Sequence, residues 1–334
     1  MTPPRAGDLV VGVDSGGSGL RIALAEASGG RVLGSVSSRE PVRTGPGGIE
    51  AAHLLAQVLP AVETLRAGAS GGDAGPSGTG TVVAVAVGAA GMATLGDELR
   101  AELPGALERA LGVRTLVLAA DAVTAYAGAL GQRPGVVVAA GTGMIALGTD
   151  LVAWRRADGW GHLLGDCGSG AWIGRAGLEA AMRAYDGRRG GSAALLARAE
   201  ELFGPAAGLP GALYPRTDRP AVLASFAPEV AGCADAGDPV AGDVLARAAA
   251  HIAEAAAAVC PAGLPCEVAL TGGLFKLGDA LLAPLRKELA EQLPQVRAVS
   301  AAGDPLAGAV SLAAACATGS LRLPEEPRLL HLTR

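Results

Sequence analysis

The sequence predicts an α/β protein made of two duplicated units facing each other across a cleft. Three observations carry this. Short Val- and Ala-rich runs of strand length alternate with longer runs of helical spacing. The order strand, glycine turn, strand, turn, strand occurs twice, from Leu9 and again from Gly135, about 125 residues apart. Helices and buried strands follow each copy, which implies mixed sheets covered on both faces.

The elements follow in order. Leu9 to Val13 reads as a strand, Ser15-Gly16-Gly17-Ser18-Gly19 as a turn, and Leu20 to Ala25 as a second strand. Ser28-Gly29-Gly30 turns again, and Arg31 to Ser37 alternates as a third strand. Glu50 to Ala67 has helical spacing, and the Gly/Ser-rich stretch Gly68 to Gly80 reads as an exposed loop. Thr81 to Gly88 is a buried strand, Gly96 to Leu111 a helix, and Arg114 to Ala119 a buried strand leading to Asp121 at a helix start. The second copy has strands at Gly135 to Ala140, Met144 to Leu147 and Leu151 to Arg155. Helices are expected at Gly170 to Tyr185, Ala193 to Leu202 and Val240 to Val259. A strand at Glu267 to Leu270, a helix at Leu277 to Gln292 and a last helix from Pro305 complete the chain.

Composition bounds the function. The 334 residues are 50% hydrophobic and 18% charged, which suits a folded chain of about two domains and not a disordered one. A net charge of −5 argues against a nucleic-acid partner, which needs a basic face. The most apolar helical stretch, Ala246 to Cys260, is too short to span a bilayer and contains Arg247, His251 and Glu254. The N-terminal apolar run is broken by Asp14 and glycines, so no signal peptide is expected. Cys167, Cys233, Cys260, Cys266 and Cys316 are odd in number and irregularly spaced, as in reduced cytoplasmic thiols.

Several short runs can carry chemistry. In Asp14-Ser15-Gly16-Gly17-Ser18, glycines let backbone N–H groups approach an anion, and the acid can hold a divalent cation. Taken alone, the same run reads better as a plain glycine hairpin. Gly141-Thr142-Gly143 repeats the device in the second copy, so the two turns together suggest two loops closing on one polyphosphate. Neither is a P-loop or a dinucleotide fingerprint, because no Gly-Lys-Ser/Thr follows and the first turn leads into a strand. Thr271-Gly272-Gly273, with Lys276 beyond it, is either a nucleotide-binding turn or an ordinary strand-to-helix turn. Asp121 suits a helix start, a general base, or both. The run from Gly159 to Gly170, with Trp160, Gly161, His162, Asp166 and Cys167, suits a small polar ligand; two unsupported metal ligands are weak grounds for zinc.

Taken in order, these motifs resemble the N-acetylglucosamine kinase and BadF-type ATPase family of the actin-like sugar-kinase superfamily. The resemblance rests on Val11 to Ser18, Ala120-Asp121-Ala122, Gly141 to Gly143, Gly159 to Asp166 and Gly272-Gly273-Leu274-Phe275. Further matches are Ser225 to Pro228, Ala236 to Ala241 and Pro305 to Ala309. It implies two ribonuclease H-like (actin-like ATPase) domains flanking a cleft, at 1–120 and 121–304. The last helix, within 305–320, would pack back on the first domain. It implies ATP and Mg²⁺ as cofactors. Asp14 would hold the metal, Gly16, Gly17 and Ser18 form the first phosphate loop, and Gly141, Thr142 and Gly143 the second. Gly272, Gly273 and Lys276 would meet the adenosine, Asp121 would be the catalytic base, and Trp160, Gly161, Asp166 and Asp121 would bind the sugar.

Three departures bear on the sugar. Thr44-Gly45-Pro46-Gly47-Gly48 lacks the family's Asn, Met144 stands where Ser is common, and Cys167 where an acid is common. The chain is most similar to actinobacterial-type glucosamine kinases, which implies a glucosamine kinase making glucosamine 6-phosphate. N-acetylglucosamine is the alternative substrate. The wider family also implies an ATPase activator of a 2-hydroxyacyl-CoA dehydratase as an alternative, with Cys260 and Cys266 as its cysteines. A sugar-sensing regulator is disfavoured, since the first strand begins by Leu9 and the associated zinc motif is missing. A homodimer is the family expectation.

Overall fold

The Val- and Ala-rich runs 9–13, 82–89, 116–120 and 135–138 form strands that are buried on both faces along almost their whole length. The computed structural model describes residues 4–17, 19–45, 47–69, 80–262 and 266–334. Ser18, Pro46 and most of the expected 68–80 loop therefore lie outside the described residues.

The chain opens with β1 (Leu9–Gly16), β2 (Gly19–Glu26) and β3 (Val32–Ser38), then a two-rung ladder of β4 (Thr44–Gly45) and β5 (Gly48–Ile49). Next come α1 (Ala51–Ala69), β6 (Val82–Ala89), α2 (Met92–Leu95), α3 (Asp97–Leu111), β7 (Thr115–Ala120) and α4 (Asp121–Leu130). The second series is β8 (Gly135–Ala140), β9 (Met144–Thr149), β10 (Trp154–Asp158), α5 (Gly170–Tyr185) and α6 (Ala193–Phe203). It continues with α7 (Leu209–Leu213), α8 (Arg219–Ser225), α9 (Ala227–Asp235), α10 (Pro239–Val259), β11 (Cys266–Thr271), α11 (Asp279–Gln292) and β12 (Val296–Ser300). The chain closes with α12 (Pro305–Thr318) and β13 (Leu330–Thr333).

The chain divides into two compact units. The first holds Met1–Arg133, Asp150–Trp154 and Ala301–Arg334; the second holds Pro134–Thr149 and Arg155–Ser300. The first unit's sheet has the order β13-β7-β6-β1-β2-β3, and the second unit's has β10-β9-β8-β11-β12. Counted within each unit, both run third, second, first, fourth, fifth. The first two strands pair antiparallel, and the fourth and fifth run parallel beside the first. The duplication expected from the repeated pattern is thus a repeated sheet topology. β13 is an addition that pairs antiparallel with β7 and covers that edge.

In the first unit, α12 is apolar nearly all round and is buried against α4, β1 and β6. The helices approach so closely that a Cβ on Gly308 would overlap the Thr124 carbonyl oxygen. Because α4 shares this packing, the division falls after Arg133, where the sequence suggested 120. In the second unit, α10 covers β8 and β9, and Val136, Val138, Ile173, Phe226 and Ile252 share one core.

The expected third strand of the second copy is shifted. It runs over Trp154–Asp158, where Leu151 to Arg155 was expected. The Asp150 carboxylate accepts the N–H groups of Val152 at 2.8 Å and Ala153 at 3.0 Å, and Leu151 has a φ of 71°. That turn takes up residues 150–153 before a strand can start. Among the described residues no helix is long and apolar enough to cross a membrane.

Candidate functional site

The expected site residues of the first unit collect at the C-terminal ends of its parallel strands, where ligands bind in open α/β sheets. The register places Ser15 of β1 beside Ala89 of β6, and Ala89 beside Ala120 of β7. Asp14 lies one residue before this row and Asp121 one residue after it. Gly16 and Gly19 close the β1–β2 hairpin, with Gly17 in the turn. A Cβ on Gly16 or Gly17 would meet nothing within 4 Å, so the turn has open space beside it.

Asp14 does not stand alone. The same hairpin register sets it opposite Arg21, which reaches its Oδ2 through Nη2 at 2.6 Å and Nε at 3.0 Å. Arg21 Nη1 also reaches Asp304 Oδ2 at 2.5 Å, and Asp304 caps α12 by accepting the Ala307 N–H at 2.9 Å. Burial opposes the charge on Arg21, yet Asp14 and Asp304 hold its pKa above the ordinary arginine value. One arginine thus fixes the Asp14 carboxylate and ties it to the start of α12.

Asp121 is exposed at the first turn of α4. Its Oδ1 accepts the N–H of Ala122 at 2.9 Å, and its carbonyl accepts the Thr124 hydroxyl at 2.9 Å. These bonds lie within the first turn of the helix, whose N-cap is Ala120, so Asp121 stands one residue inside the expected cap position with its carboxylate at the surface.

In the second unit, the 141–143 turn joins β8 to β9, the topological position of the 16–19 turn in the first. Its carbonyls are tied to the start of α5. Gly170 N–H donates to Gly141 O at 2.9 Å and Ala171 N–H to Thr142 O at 3.0 Å. Gly272 follows β11, whose Thr271 lies beside Ala139 of β8, so the second and third glycine turns are neighbours. Gly272 has φ 107°, and a Cβ there would overlap the Ala140 carbonyl oxygen. Gly273 opens a short 3₁₀ turn that carries exposed Lys276.

The 156–167 loop packs beneath the same turn through Asp166. This carboxylate is only 9% exposed and lies 2.8 Å from where a Cβ on Gly143 would stand. It accepts the N–H groups of Gly161, at 3.2 Å, and Met144. Burial pushes its carboxyl above the ordinary value, the Gly161 N–H opposes this, and the Asp158 charge adds to the rise. Asp158 in turn accepts the N–H groups of Asp166 at 2.5 Å and Cys167 at 2.8 Å. Arg156 lies 4.2 Å over the Trp160 ring and donates to the carbonyls of Asp158 and Gly159. Trp160 stays 63% exposed, so its other face is available.

Within the first unit the structure therefore brings Asp14, Gly16, Gly17 and Asp121 to one sheet edge. Within the second it gathers Gly141, Thr142, Gly143, Gly272, Gly273, Gly161 and Asp166, with Trp160 and Lys276 at the surface. Ser18 lies outside the described residues. Sequence reasoning missed Arg21, Asp158 and Asp304. Only Arg21 had a legible signal, since a two-residue turn after Gly16 places residue 21 opposite Asp14.

A divalent cation can be tested against this edge. Arg21 takes Oδ2 of Asp14, and no described residue bonds Oδ1. One open carboxylate oxygen beside a glycine turn fits Mg²⁺, which keeps most of its waters and relies on phosphate oxygens. Among the described residues no cluster of three or more His, Cys, Asp or Glu could hold a metal unaided.

Two sheets of the same strand order, each with a glycine turn after its first strand, define an actin-like ATPase fold of the ribonuclease H type. The chain belongs to the BadF/BadG/BcrA/BcrD ATPase family, which matches residues 11–313. It is 31% identical over 202 residues to an N-acetyl-D-glucosamine kinase of Dictyostelium discoideum, covering 58% of this chain and 63% of that protein. It is 39% identical over 82 residues to an N-acetylmuramic acid/N-acetylglucosamine kinase of Clostridium acetobutylicum, covering 24% of this chain and 27% of that protein. The chain thus spans less than two thirds of the length of these relatives. A solved structure from Chromobacterium violaceum, described as a candidate N-acetylglucosamine kinase, superposes with a TM-score of 0.70 at 31% identity, covering 92% of this chain and 99% of that one.

Proposed function

We propose that this chain is an ATP-dependent hexosamine kinase that transfers the γ-phosphoryl group to a primary sugar hydroxyl. The observation that carries the reading is the pair of glycine turns at matching positions of two repeated sheets, with an exposed carboxylate, Asp121, on the first unit's edge. The family's ATPase character and the sugar-kinase relatives support it.

Phosphoryl transfer needs positioning and charge neutralisation more than covalent chemistry. The N–H groups of the 16–18 turn and of Thr142 and Gly143 would hold phosphate oxygens, and Gly272, Gly273 and Lys276 would lie along the adenosine. Asp14 would hold Mg²⁺ through water, and the bound ion supplies positive charge to the phosphates. Arg21 keeps the Asp14 carboxylate aimed. The sugar oxygen bonds to the γ-phosphorus as the bond to the β–γ bridging oxygen breaks and ADP leaves. Asp121 takes the hydroxyl proton. Trp160 offers its open face to the sugar ring, and Gly161 and Asp166 shape the pocket wall.

N-acetylglucosamine is the substrate we favour. An ammonium at C2 needs a carboxylate free to face it, but the Asp166 carboxylate is committed to the N–H groups of Gly161 and Met144. Glucosamine is the second reading, favoured by the missing Asn at 44–48. A coupled ATP-consumption panel over N-acetylglucosamine, glucosamine, N-acetylmuramic acid and glucose tests both. The expected result is greatest turnover on an acetylated hexosamine, and turnover on none of them refutes the kinase reading. Asp121→Asn should lower turnover by about 10²- to 10⁴-fold with folding intact. Near-normal turnover would remove Asp121 from its role.

A further inference from the structure

The second unit carries a basic pocket that none of the proposed site residues line. It has a volume of about 290 Å³ and lies between α5 and α10, with Gly190 at its rim. Trp172, Arg175, Glu179 and Arg183 recur at helical spacing along one face of α5, and Arg247 comes from α10. Three guanidinium groups thus share the lining with one carboxylate. This is a local positive excess in a chain of net charge −5.

Two of the three guanidinium groups are not spent on a carboxylate. Arg183 takes Glu179, with Nη2 at 2.9 Å and Nε at 3.2 Å from Oε1. Arg247 has no carboxylate partner among the described residues. Its guanidinium lies 5.5 Å from the Trp172 ring centroid, and its Nε donates only to the Asp243 carbonyl at 3.4 Å. Arg175 makes no hydrogen bond or ion pair with any described residue. The Trp172 ring is braced on edge by His251, centroids 5.1 Å apart, and its indole N–H donates to no described residue. Exposed arginines usually find a carboxylate or extend into water; two such groups around an aromatic ring in a concave pocket make a fork for an anion. The volume is near the lower end of the ~300–1,000 Å³ range of small-ligand sites, enough for a phosphorylated monosaccharide and too little for a dinucleotide.

We propose that this pocket binds a small phosphate monoester, of the size of a hexose 6-phosphate, through Arg175 and Arg247 with the Trp172 ring as its floor. The site is distinct in residues from the glycine turns but shares α5 with one of them, because the N–H groups of Gly170 and Ala171 hold the 141–143 carbonyls. A ligand seated on Trp172 and Arg175 therefore lies within about one and a half helical turns of that loop's anchor.

The test is calorimetric titration of the full chain with hexose 6-phosphate, inorganic phosphate and unphosphorylated hexose, with a non-hydrolysable ATP analogue saturating throughout. The expected result is saturable binding of the ester, weaker binding of phosphate alone, and any binding of the bare sugar unchanged in the variant below. In the Arg175→Gln/Arg247→Gln variant, ester affinity should fall by about tenfold or more for each guanidinium removed. Both side chains are exposed, so the variant should melt as the parent does, and its ATP turnover at low product concentration should be unchanged. Unchanged ester affinity in the variant, or no saturable binding in the parent, overturns the proposal. The binding arm does not depend on turnover. A chain without kinase activity that still loses ester binding on substitution would refute the proposed reaction and leave this site standing.

Discussion

Replacing Asp158 with asparagine probes the loop that presents Trp160, Gly161 and Asp166. The aspartate accepts two backbone N–H groups, from Asp166 at 2.5 Å and Cys167 at 2.8 Å. Its φ of 60° is tolerated by asparagine, so the substitution changes the acceptor without straining the backbone. A hydrogen bond to a charged group contributes about 1.5–3 kcal/mol and a neutral one about 0.5–1.5 kcal/mol. Asparagine keeps one neutral acceptor and turns an NH₂ group toward the other N–H. One bond weakens by about 1 kcal/mol, and the other is lost with its partner stranded, at about 1–3 kcal/mol, for a total near 2–4 kcal/mol. For a unit of this size each kcal/mol shifts the melting temperature by about 2–4 °C, so a fall of roughly 5–15 °C is expected. Hydrogen exchange at the amides of residues 166 and 167 should accelerate together, and the KM for sugar should rise more than kcat falls. An unchanged melting temperature with unchanged exchange at those two amides would refute the account of how this loop is held.

Three further outcomes follow from the geometry. Gly272→Ala adds a Cβ against the Ala140 carbonyl at a φ that side chains rarely adopt, so nucleotide turnover should fall and the chain should melt earlier; parent-like KM for ATP would separate this turn from the nucleotide. The folded chain holds the Asp166 proton at pH values where the unfolded chain has released it, because burial raises this carboxyl. Its contribution to stability is therefore full below the ordinary carboxylate range and is lost as pH rises through the raised native value; urea titrations should show this slope in the parent and not in Asp166→Asn. Burial pushes the Cys266 thiol up to about 12, so it should resist alkylation by iodoacetamide at pH 8 in the native chain, and the purified protein should carry no iron. Rapid alkylation there, or bound iron, would revive the dehydratase-activator reading.

Much of the fold was legible because the strands are Val- and Ala-rich and the turns are marked by glycine. β1, β2, β8 and α5 begin or end within a few residues of where the periodicity places them. The misses have physical causes. β10 starts late because Asp150 builds a turn from its own side chain, a local competition that strand-forming residues at 151–155 conceal. β13 was not expected, since its four residues become a strand only where β7 offers a free edge. β12 has two of its five residues half-buried and the rest exposed, so it lacks the apolar signal of the other parallel strands.

The candidate site divides in the same way. Glycine turns, Asp14 and Asp121 could be proposed from the chain because strand–glycine–strand runs and a strand-to-helix junction are local patterns of a few neighbouring residues. What could not be named is the set of partners that fixes them. Asp304 meets Arg21 across 283 positions of sequence, and Asp158 meets the amides of 166 and 167 through a loop whose path depends on left-handed residues. The sequence alone determined which segments would be strands, helices and tight turns, because those depend on neighbours a few residues away. Tertiary structure alone decided which charges pair, which carboxylate is buried and where two arginines are left without an acid, because electrostatics and desolvation act through space between residues the chain order keeps apart.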